Sequence, residues 1–365
     1  MNGLAALAGQ LTTLAFENAQ RTTQLVIGHQ KFLELLPEIH HLRVRCCQQH
    51  DLTTDPEHFI ASNTAKNRRI CAVLIRRGQQ LEACVLFFEH SLLGMSTGLV
   101  RGGDALGGSF VIGEKAFALQ FIHMAAQALL RKRHVHGVSL TVKATRDECA
   151  RLMGAEAKNR VYSERTPVHK LTLANSYHEM LASMGHRTRR SLATKRRQLE
   201  QRSRVIFLPH LEHAQALEAM EALRTRSWPQ RYRKFYETRH RLLCERSEMF
   251  TMGMLLPDGT WLSILSGWRR DGVTYIDLQM NDSHFRKESI SAVMRCFLLE
   301  HEIARQQKML FFVGGCSILL GRYCEPGEVC TDVVLARPGL RSALFKRMLP
   351  LLKPKSRYER LAQDS

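Results

Sequence analysis

Residues 273–280 alternate polar and apolar side chains in the manner of a β-strand. Because successive side chains of a strand point to opposite faces, Tyr275, Asp277 and Gln279 are predicted to share one face. A carboxylate beside a phenol can move protons to and from a bound substrate, so Asp277 is the candidate general base and Tyr275 a second catalytic candidate. The same pattern is also typical of the solvated face of an antiparallel sheet.

Positive charge is concentrated in residues 186–204. This segment carries eight Lys or Arg residues against the single acid Glu200, and its sparse apolar positions predict a helix that rests one narrow edge on a core. Like charges on one helix repel each other, and an anionic partner relieves that repulsion. A plain solvated helix is the alternative. The residues predicted to contact an anionic acceptor, a membrane surface or RNA are Arg187, Arg189, Arg190, Lys195, Arg196 and Arg197.

The whole chain is basic, because 53 Lys and Arg exceed 34 Asp and Glu and give its 365 residues a formal net charge of +19. Such an excess favours attraction to nucleic acid, to a phospholipid surface or to a phosphorylated cofactor or substrate. Charge alone does not choose among these partners. The sequence contains no apolar run of 18 residues, so we expect no membrane-spanning helix.

The ten cysteines do not form a metal or disulfide pattern. They are spread along the chain without a CxxC pair, which indicates reduced thiols in the cytoplasm. The histidine pairs at residues 40–41 and at His134 and His136 have no supporting ligand cluster, so we predict no metal site. Cys316 has no histidine near it in sequence, and a small buried thiol is favoured over a covalent nucleophile.

The elements that position these residues follow from apolar runs bounded by turn signals. Residues 250–256, 261–268 and 273–280 predict three consecutive antiparallel strands. The apolar spacing of residues 290–298 predicts a long helix after them, and residues 309–313 predict a further strand. The second half of the chain therefore has the predicted order β-β-β-α-β.

A similar order recurs faintly in the first half. Residues 70–75 and 81–88 predict a hairpin, and residues 135–142 predict a later strand beyond a helix. The repeat favours two α+β domains of one kind, each a mixed, mainly antiparallel sheet flanked by helices. Their predicted bounds are 1–170 and 171–365.

The loop after the strand at 273–280 carries a motif. Asp282, Phe285 and Ser289 match an Asp-Pro-Glu-Phe, short spacer, Ser-Pro-Gly pattern, in which Ile290 and Ser291 replace the last Pro and Gly. In this the chain resembles GNAT superfamily acyltransferases of the type associated with cellulose and exopolysaccharide biosynthesis. Those proteins are distant relatives of the Fem-type aminoacyltransferases of peptidoglycan.

Three further segments support the resemblance. Residues 187–197 resemble the family's Arg-rich helix, residues 226–228 approximate its Arg-Trp landmark, and residues 240–243 match its His-Arg-Leu-Leu landmark. The resemblance implies two GNAT-like domains and an acetyl-CoA or other acyl-CoA co-substrate.

In the GNAT fold the cofactor pyrophosphate lies on the N-terminus of the long helix. The resemblance therefore implies a cofactor site at Arg286, Lys287, Ser289 and Ser291, with an ordinary helix start bearing two surface cations as the alternative. Tyr323 is placed like the GNAT tyrosine that donates a proton to the departing thiolate, and a structural tyrosine is the commoner case. The relatives' acidic residue and Tyr-Lys pair after the last strand are absent from residues 314–320.

The sequence thus favours an acyl-CoA-dependent N- or O-acyltransferase. Its acceptor is expected to be a small molecule or saccharide, such as a cell-envelope polysaccharide or a lipid-linked precursor. The alternatives are tRNA-dependent aminoacyl transfer of Fem type, a non-catalytic basic protein that binds nucleic acid or membrane, and a degenerate GNAT domain that binds a partner. The expected location is the cytoplasm, including the inner face of the membrane.

Overall fold

The computed structural model describes residues 21–48, 54–62, 68–92, 95–102, 110–155, 159–165, 168–226, 249–312, 316 and 318–337. The chain divides into two compact units. The first consists of Met1–Arg165 and Val329–Pro354, and the second of Thr166–Glu328 and Lys355–Ser365. Within the described residues, no helix is both long enough and apolar enough to cross a membrane.

The first unit is built on an eight-stranded sheet. Its strands are β1 (Arg21–Ile27), β2 (Arg68–Arg77), β3 (Gln80–Leu92), β4 (Met95–Arg101), β5 (Phe110–Gly113), β6 (Gly137–Val142), β7 (Arg160–Arg165) and β15 (Cys330–Ala336). The order across the sheet is β1-β2-β3-β4-β6-β15-β7, with β5 paired to β3. All neighbours are antiparallel except β4 and β6.

Among the residues that the structure describes, five α-helices cover the two faces of this sheet. They are α1 (His29–Leu33), α2 (Leu36–Arg45), α3 (Pro56–Ser62), α4 (Ala118–Leu130) and α5 (Arg146–Met153). Helices α4 and α5 pack on one face through apolar side chains such as Phe121 and Met153, and α1 to α3 pack on the other through Phe32, Leu42 and Phe59. Each face therefore has its own apolar core.

The division into units differs from the predicted one. The predicted domains, 1–170 and 171–365, were continuous, whereas Val329–Pro354 belongs to the first unit. The reason is that β15 lies between β6 and β7 and pairs with both along its length. Strand pairing over so large a sequence separation leaves no local signal in the chain.

The second unit is built on a seven-stranded sheet. Its strands are β8 (Val168–Thr172), β9 (Ile206–Leu208), β10 (Met249–Leu255), β11 (Trp261–Arg270), β12 (Val273–Asn281), β13 (Met309–Phe312) and β14 (Glu325–Pro326). The order is β14-β8-β13-β12-β11-β10-β9. Strands β10, β11 and β12 are antiparallel neighbours, and β13 pairs parallel to β12.

Helices again cover both faces. They are α6 (Tyr177–Ala182), α7 (His186–Ser203), α8 (His213–Arg224), α9 (Ile290–Ala304) and the single turn α10 (Ile318–Gly321). Helices α6, α7 and α9 share one apolar core with the sheet, and α8 packs on the opposite face. The predicted order of three antiparallel strands, a helix and a strand is confirmed, as is the mixed, mainly antiparallel α+β class.

A buried ion pair joins α9 to the sheet. Glu302 is fully buried, and its carboxylate accepts hydrogen bonds from Arg269 of β11 at 2.6 and 3.0 Å and from the Thr274 hydroxyl of β12 at 2.5 Å. The Arg269 guanidinium also lies 3.9 Å from the ring centre of Phe250 on β10. One carboxylate thus fixes the helix against adjacent strands.

We expect Arg269→Ala to lower the free energy of unfolding of the second unit by about 3–5 kcal/mol, because it leaves a buried carboxylate without its cation. All three tryptophans lie in this unit, so their fluorescence during urea unfolding reports on it. Arg224→Ala is the matched control, because Arg224 pairs with Glu221 at the surface and its loss should cost at most about 1 kcal/mol. Equal effects of the two variants would contradict the expectation.

Candidate functional site

Strand β12 contains a β-bulge at Asp277. Along the pairing with β11, Ser266 lies opposite Leu278 and the next residue, Gly267, lies opposite Ile276. The register therefore passes over Asp277 on β12. A bulge of this kind turns the side chains that follow it to the other face and is frequent beside active sites.

Gly267 allows the two strands to approach each other at the bulge. A Cβ atom built on this glycine would lie 1.7 Å from the carbonyl oxygen of Tyr275. No side chain fits in that space, so a larger residue would force the strands apart. The bulge is therefore encoded by the strand opposite to it.

The bulge changes the faces predicted for β12. Ile276 packs in the core with α9, whereas Leu278 and Met280 pack in the core with α8. The amide of Gln279 hydrogen-bonds to α9, but the ring of Tyr275 lies on the opposite face, stacked 5.0 Å from a tryptophan of β11. The prediction that Tyr275 and Gln279 share a face is wrong, because one extra residue separates them.

Asp282 holds the loop that follows β12. Its side chain is fully buried, and one carboxylate oxygen accepts hydrogen bonds from the backbone N–H and the ring Nδ1 of His284, both at 2.9 Å. Its other oxygen lies 3.1 Å from the guanidinium of Arg226. The N–H of Ser283 also donates to the carbonyl oxygen of Arg226 at 2.9 Å. Because a buried carboxylate needs such partners, this loop has a defined conformation.

The loop brings the four predicted cofactor-binding residues to the start of α9. Arg286 and Lys287 are exposed, and Ser289 directly precedes the helix in a left-handed conformation with φ 55°. Ser291 lies in the first turn. Exposed Glu288 adds a negative charge between the cations and Ser289. A helix N-terminus with nearby cations attracts anions.

Arg295, one turn further along α9, was missed by the sequence analysis. Its guanidinium donates to Gln279 Oε1 at 3.2 Å and to Cys316 Sγ at 3.8 Å, and it lies 5.3 Å from the ring centre of Phe312. Burial lowers the pKa of Arg295, and the nearby sulfur opposes that effect. Gln279 in turn donates to the carbonyl and hydroxyl oxygens of Ser291, both at 3.3 Å. The available signal was a cation flanked by apolar residues on both sides in the first half of the helix.

The basic residues of α7 do not act alike. Arg196 points inward, where it bonds Glu200 at 2.9 Å and Glu300 of α9 at 2.7 Å and lies 4.5 Å from the ring centre of Phe297. Burial opposes the charge of Arg196, but the carboxylates outweigh it and raise its pKa. The prediction that Arg196 contacts an external anion therefore conflicts with the ion pairs that it makes within the chain.

The other basic residues lie on the outer side of α7. Arg187, Arg190 and Lys195 line an open groove of about 460 Å³ together with polar side chains of the same helix. Arg189 and Arg197 are exposed outside this groove. The helix therefore presents positive charge both along this groove and outside it.

Tyr323, the predicted proton donor, is tied to the start of α7. Its hydroxyl oxygen accepts the N–H of Gly185 at 3.0 Å, and its hydroxyl lies 3.0 Å from Thr188 Oγ1. These two bonds cap the basic helix. Transfer of the Tyr323 proton to another group requires the bond with Thr188 to break.

Some of the predicted features lie outside the described residues. They are the side chain of Asp277, the segments 227–228 and 240–243 that carry family landmarks, and Gly314 and Gly315. Their assignments stay predictions.

Sequence comparison identifies no relative. No family model matches the chain, and no curated protein matches it significantly. Structural comparison does find solved proteins with a similar fold. The chain is similar to the crystal structure of FemX, with a TM-score of 0.54, 10% sequence identity and coverage of 82% of this chain and 98% of that one. It is also similar to L-PGS from Bacillus licheniformis, with a TM-score of 0.50, 11% identity and coverage of 82% and 97%.

At such identities the likeness shows the fold alone. The predicted α+β class with two mixed, mainly antiparallel sheets flanked by helices is confirmed. FemX and L-PGS share this fold over most of the chain. The similarity spans nearly the whole length of both solved proteins, so it includes both units.

Tyr323→Phe should reduce the free energy of unfolding of the second unit by about 1–3 kcal/mol, because it removes the hydroxyl that bonds Gly185 and Thr188. A double-mutant cycle with Thr188→Val isolates the bond between the two side chains, and urea unfolding followed by tryptophan fluorescence measures it. We expect a coupling energy of about 0.5–1.5 kcal/mol. Strictly additive effects would show that this bond does not stabilise the helix start.

Proposed function

We propose that this chain transfers an acyl group from acetyl-CoA or another acyl-CoA to an amine or hydroxyl of an acceptor. The donor's pyrophosphate would lie at the start of α9, against Arg286, Lys287, Ser289, Ser291 and the backbone N–H groups of the first turn. When bound, acyl-CoA supplies the acyl group as an activated thioester. The chain's own residues bind the phosphates and move the protons.

The observation that carries this proposal is the convergence at the start of α9. The buried carboxylate of Asp282 pins the loop that delivers Arg286 and Lys287 to the N-terminus of a 15-residue helix. Cations and hydroxyl donors at the N-terminal end of a helix suit a pyrophosphate. Glu288 lowers the net charge of the site but leaves it positive.

Proton transfer is assigned to two residues. Asp277 lies at the bulge of β12, and we propose it as the base that takes the proton of the acceptor's amine or hydroxyl. Tyr323 is proposed to protonate the departing thiolate. Because its hydroxyl also caps α7, this role couples turnover to the start of the basic helix.

The acceptor is proposed to be a small molecule or a saccharide, in a cell-envelope polysaccharide or a lipid-linked precursor. The sequence motif at Asp282, Phe285 and Ser289 supports the exopolysaccharide type of relative. The positive charge of α7 suits an acceptor held at an anionic membrane surface. The proposed location is therefore the cytoplasm, at the inner face of the membrane.

A second candidate function is tRNA-dependent aminoacyl transfer of the Fem type. The groove on α7 favours it, because Arg187, Arg190 and Lys195 line one concave surface that can follow a phosphate backbone. The likeness to FemX supports the same fold for this candidate. The two functions differ in the donor, so donor binding separates them.

Arg286→Ala should weaken acyl-CoA binding about tenfold or more, because a charge-assisted contact is worth about 1.5–3 kcal/mol. Titration calorimetry with acetyl-CoA, a long-chain acyl-CoA and CoA measures the change. Arg305→Ala is the matched control, since Arg305 is an exposed arginine at the other end of the same helix. Equal loss in both variants would indicate non-specific attraction, and unchanged affinity in Arg286→Ala would count against the site.

Replacement of Arg187 and Arg190 by Gln should weaken tRNA binding and flatten its salt dependence. The slope of log K against log salt concentration should fall by about 0.7 for each single-strand phosphate that the protein no longer neutralises. The control replaces Arg189 and Arg197, which removes the same charge from the same helix outside the groove. Binding is measured across a salt series with tRNA and with anionic vesicles.

Three outcomes are informative. Loss of tRNA affinity only in the groove variant supports the Fem-type donor. If both variants lose affinity for vesicles equally and neither loses affinity for tRNA, the result supports a membrane-held acceptor. No loss for either ligand shows that α7 is a solvated helix, which contradicts both uses of its charge.

A further inference from the structure

Two cysteines lie together at the end of the Arg295 network. Cys316 and Cys324 flank the single turn α10, are both partly exposed, and pack against the same core. The backbone folds them toward each other, because the N–H of Cys324 donates to the carbonyl oxygen of Gly321 at 3.3 Å, and a Cβ atom on Gly321 would lie 3.7 Å from the carbonyl oxygen of Cys316. The S–H of Cys324 is also within 3.4 Å of the carbonyl oxygen of Leu320. The acyl-transfer chemistry proposed above uses neither thiol.

The two sulfurs have different surroundings. The Arg295 guanidinium donates to Cys316 at 3.8 Å, so a cation stabilises negative charge on this sulfur. The hydrogen bond with Cys316, followed by burial, raises the pKa of Cys324. Cys316, beside the guanidinium, is therefore the sulfur better placed to carry a negative charge.

We infer that Cys316 and Cys324 form an oxidisable dithiol pair that reacts with a hydroperoxide and closes to a disulfide. The geometry has the parts that such chemistry requires: a partly exposed sulfur beside a cation, and a second partly exposed cysteine on the other side of the single turn α10. An isolated cysteine has no second thiol to resolve the oxidised form.

The reaction balances in two steps. The Cys316 thiolate attacks one oxygen of the peroxide, the O–O bond breaks, and a sulfenic acid and a hydroxide or alkoxide form. The Cys324 sulfur then attacks the Cys316 sulfur, its proton joins the leaving hydroxyl, and water departs as the disulfide forms. The two sulfurs lose two electrons in total, and the peroxide gains them.

Closure of the pair has a consequence for α9. A neutral disulfide is a weaker hydrogen-bond acceptor than a thiolate, so the buried guanidinium of Arg295 loses its charge-assisted partner. Arg295 is bonded to Gln279, which is bonded to Ser291 in the first turn of α9. We therefore expect the first turn to open more often in the oxidised chain.

The test treats the full chain with hydrogen peroxide and maps its cysteines by differential alkylation and peptide mass spectrometry. We expect a disulfide between Cys316 and Cys324 to form about tenfold faster than exposed Cys47 is oxidised. Cys324→Ser should instead accumulate a sulfenic acid at Cys316, trapped by dimedone. The inference would be overturned if Cys47 were oxidised while Cys316 and Cys324 formed no disulfide in the same chains.

A second readout tests the coupling to α9. Amide hydrogen exchange in the first turn of α9 should accelerate severalfold on oxidation and return with a reductant. In Cys316→Ser, which has no sulfur beside Arg295 to oxidise, peroxide should leave this exchange unchanged. Unchanged exchange in fully closed wild-type protein would overturn the coupling. Neither measurement uses an acyl donor, so the inference stands or falls independently of the proposed function.

Discussion

The buried carboxylate of Glu302 is the interaction on which the geometry of the second unit depends. A fully buried charge needs an opposite charge and hydrogen-bond donors next to it. Two strands supply them to Glu302, through Arg269 on β11 and Thr274 on β12. These bonds fix the rotation of α9 about its own axis as well as its position along the sheet. That rotation is what turns Ser291 and Arg295 toward Gln279 and leaves Glu300 facing α7.

The arginines of this unit divide into two groups by their surroundings. Arg196, Arg269 and Arg295 bury their guanidinium groups among carboxylates, aromatic rings and a thiol, and they hold elements together. Arg187, Arg190 and Arg286 are exposed at the surface. Composition cannot separate these groups, so a net charge of +19 overstates the charge that a partner meets.

Much of the fold could be predicted from local patterns. The hairpin and the long helix of the second unit follow from apolar spacing, because each is formed by residues close together in the chain. The bulge at Asp277 could not be predicted in the same way, since it depends on Gly267 of the facing strand. The motif at Asp282 located the site, but the partner of its carboxylate, Arg226, lies in an element far along the chain. The inward turn of Arg196 depends in the same way on distant Glu300.

The position of β15 has a consequence for the order in which the chain can fold during synthesis. Within the described part of the first sheet, β7 is joined to its neighbours through β15, the last described strand to leave the ribosome. The segment Thr166–Glu328 is complete before β15 emerges. The first sheet is therefore incomplete while residues 166–328 are synthesised. During that time β6 and β7 each have an unpaired edge, because β15 has not yet been made. Unpaired strand edges invite association with other chains, so this interval is when the protein most needs protection by a chaperone.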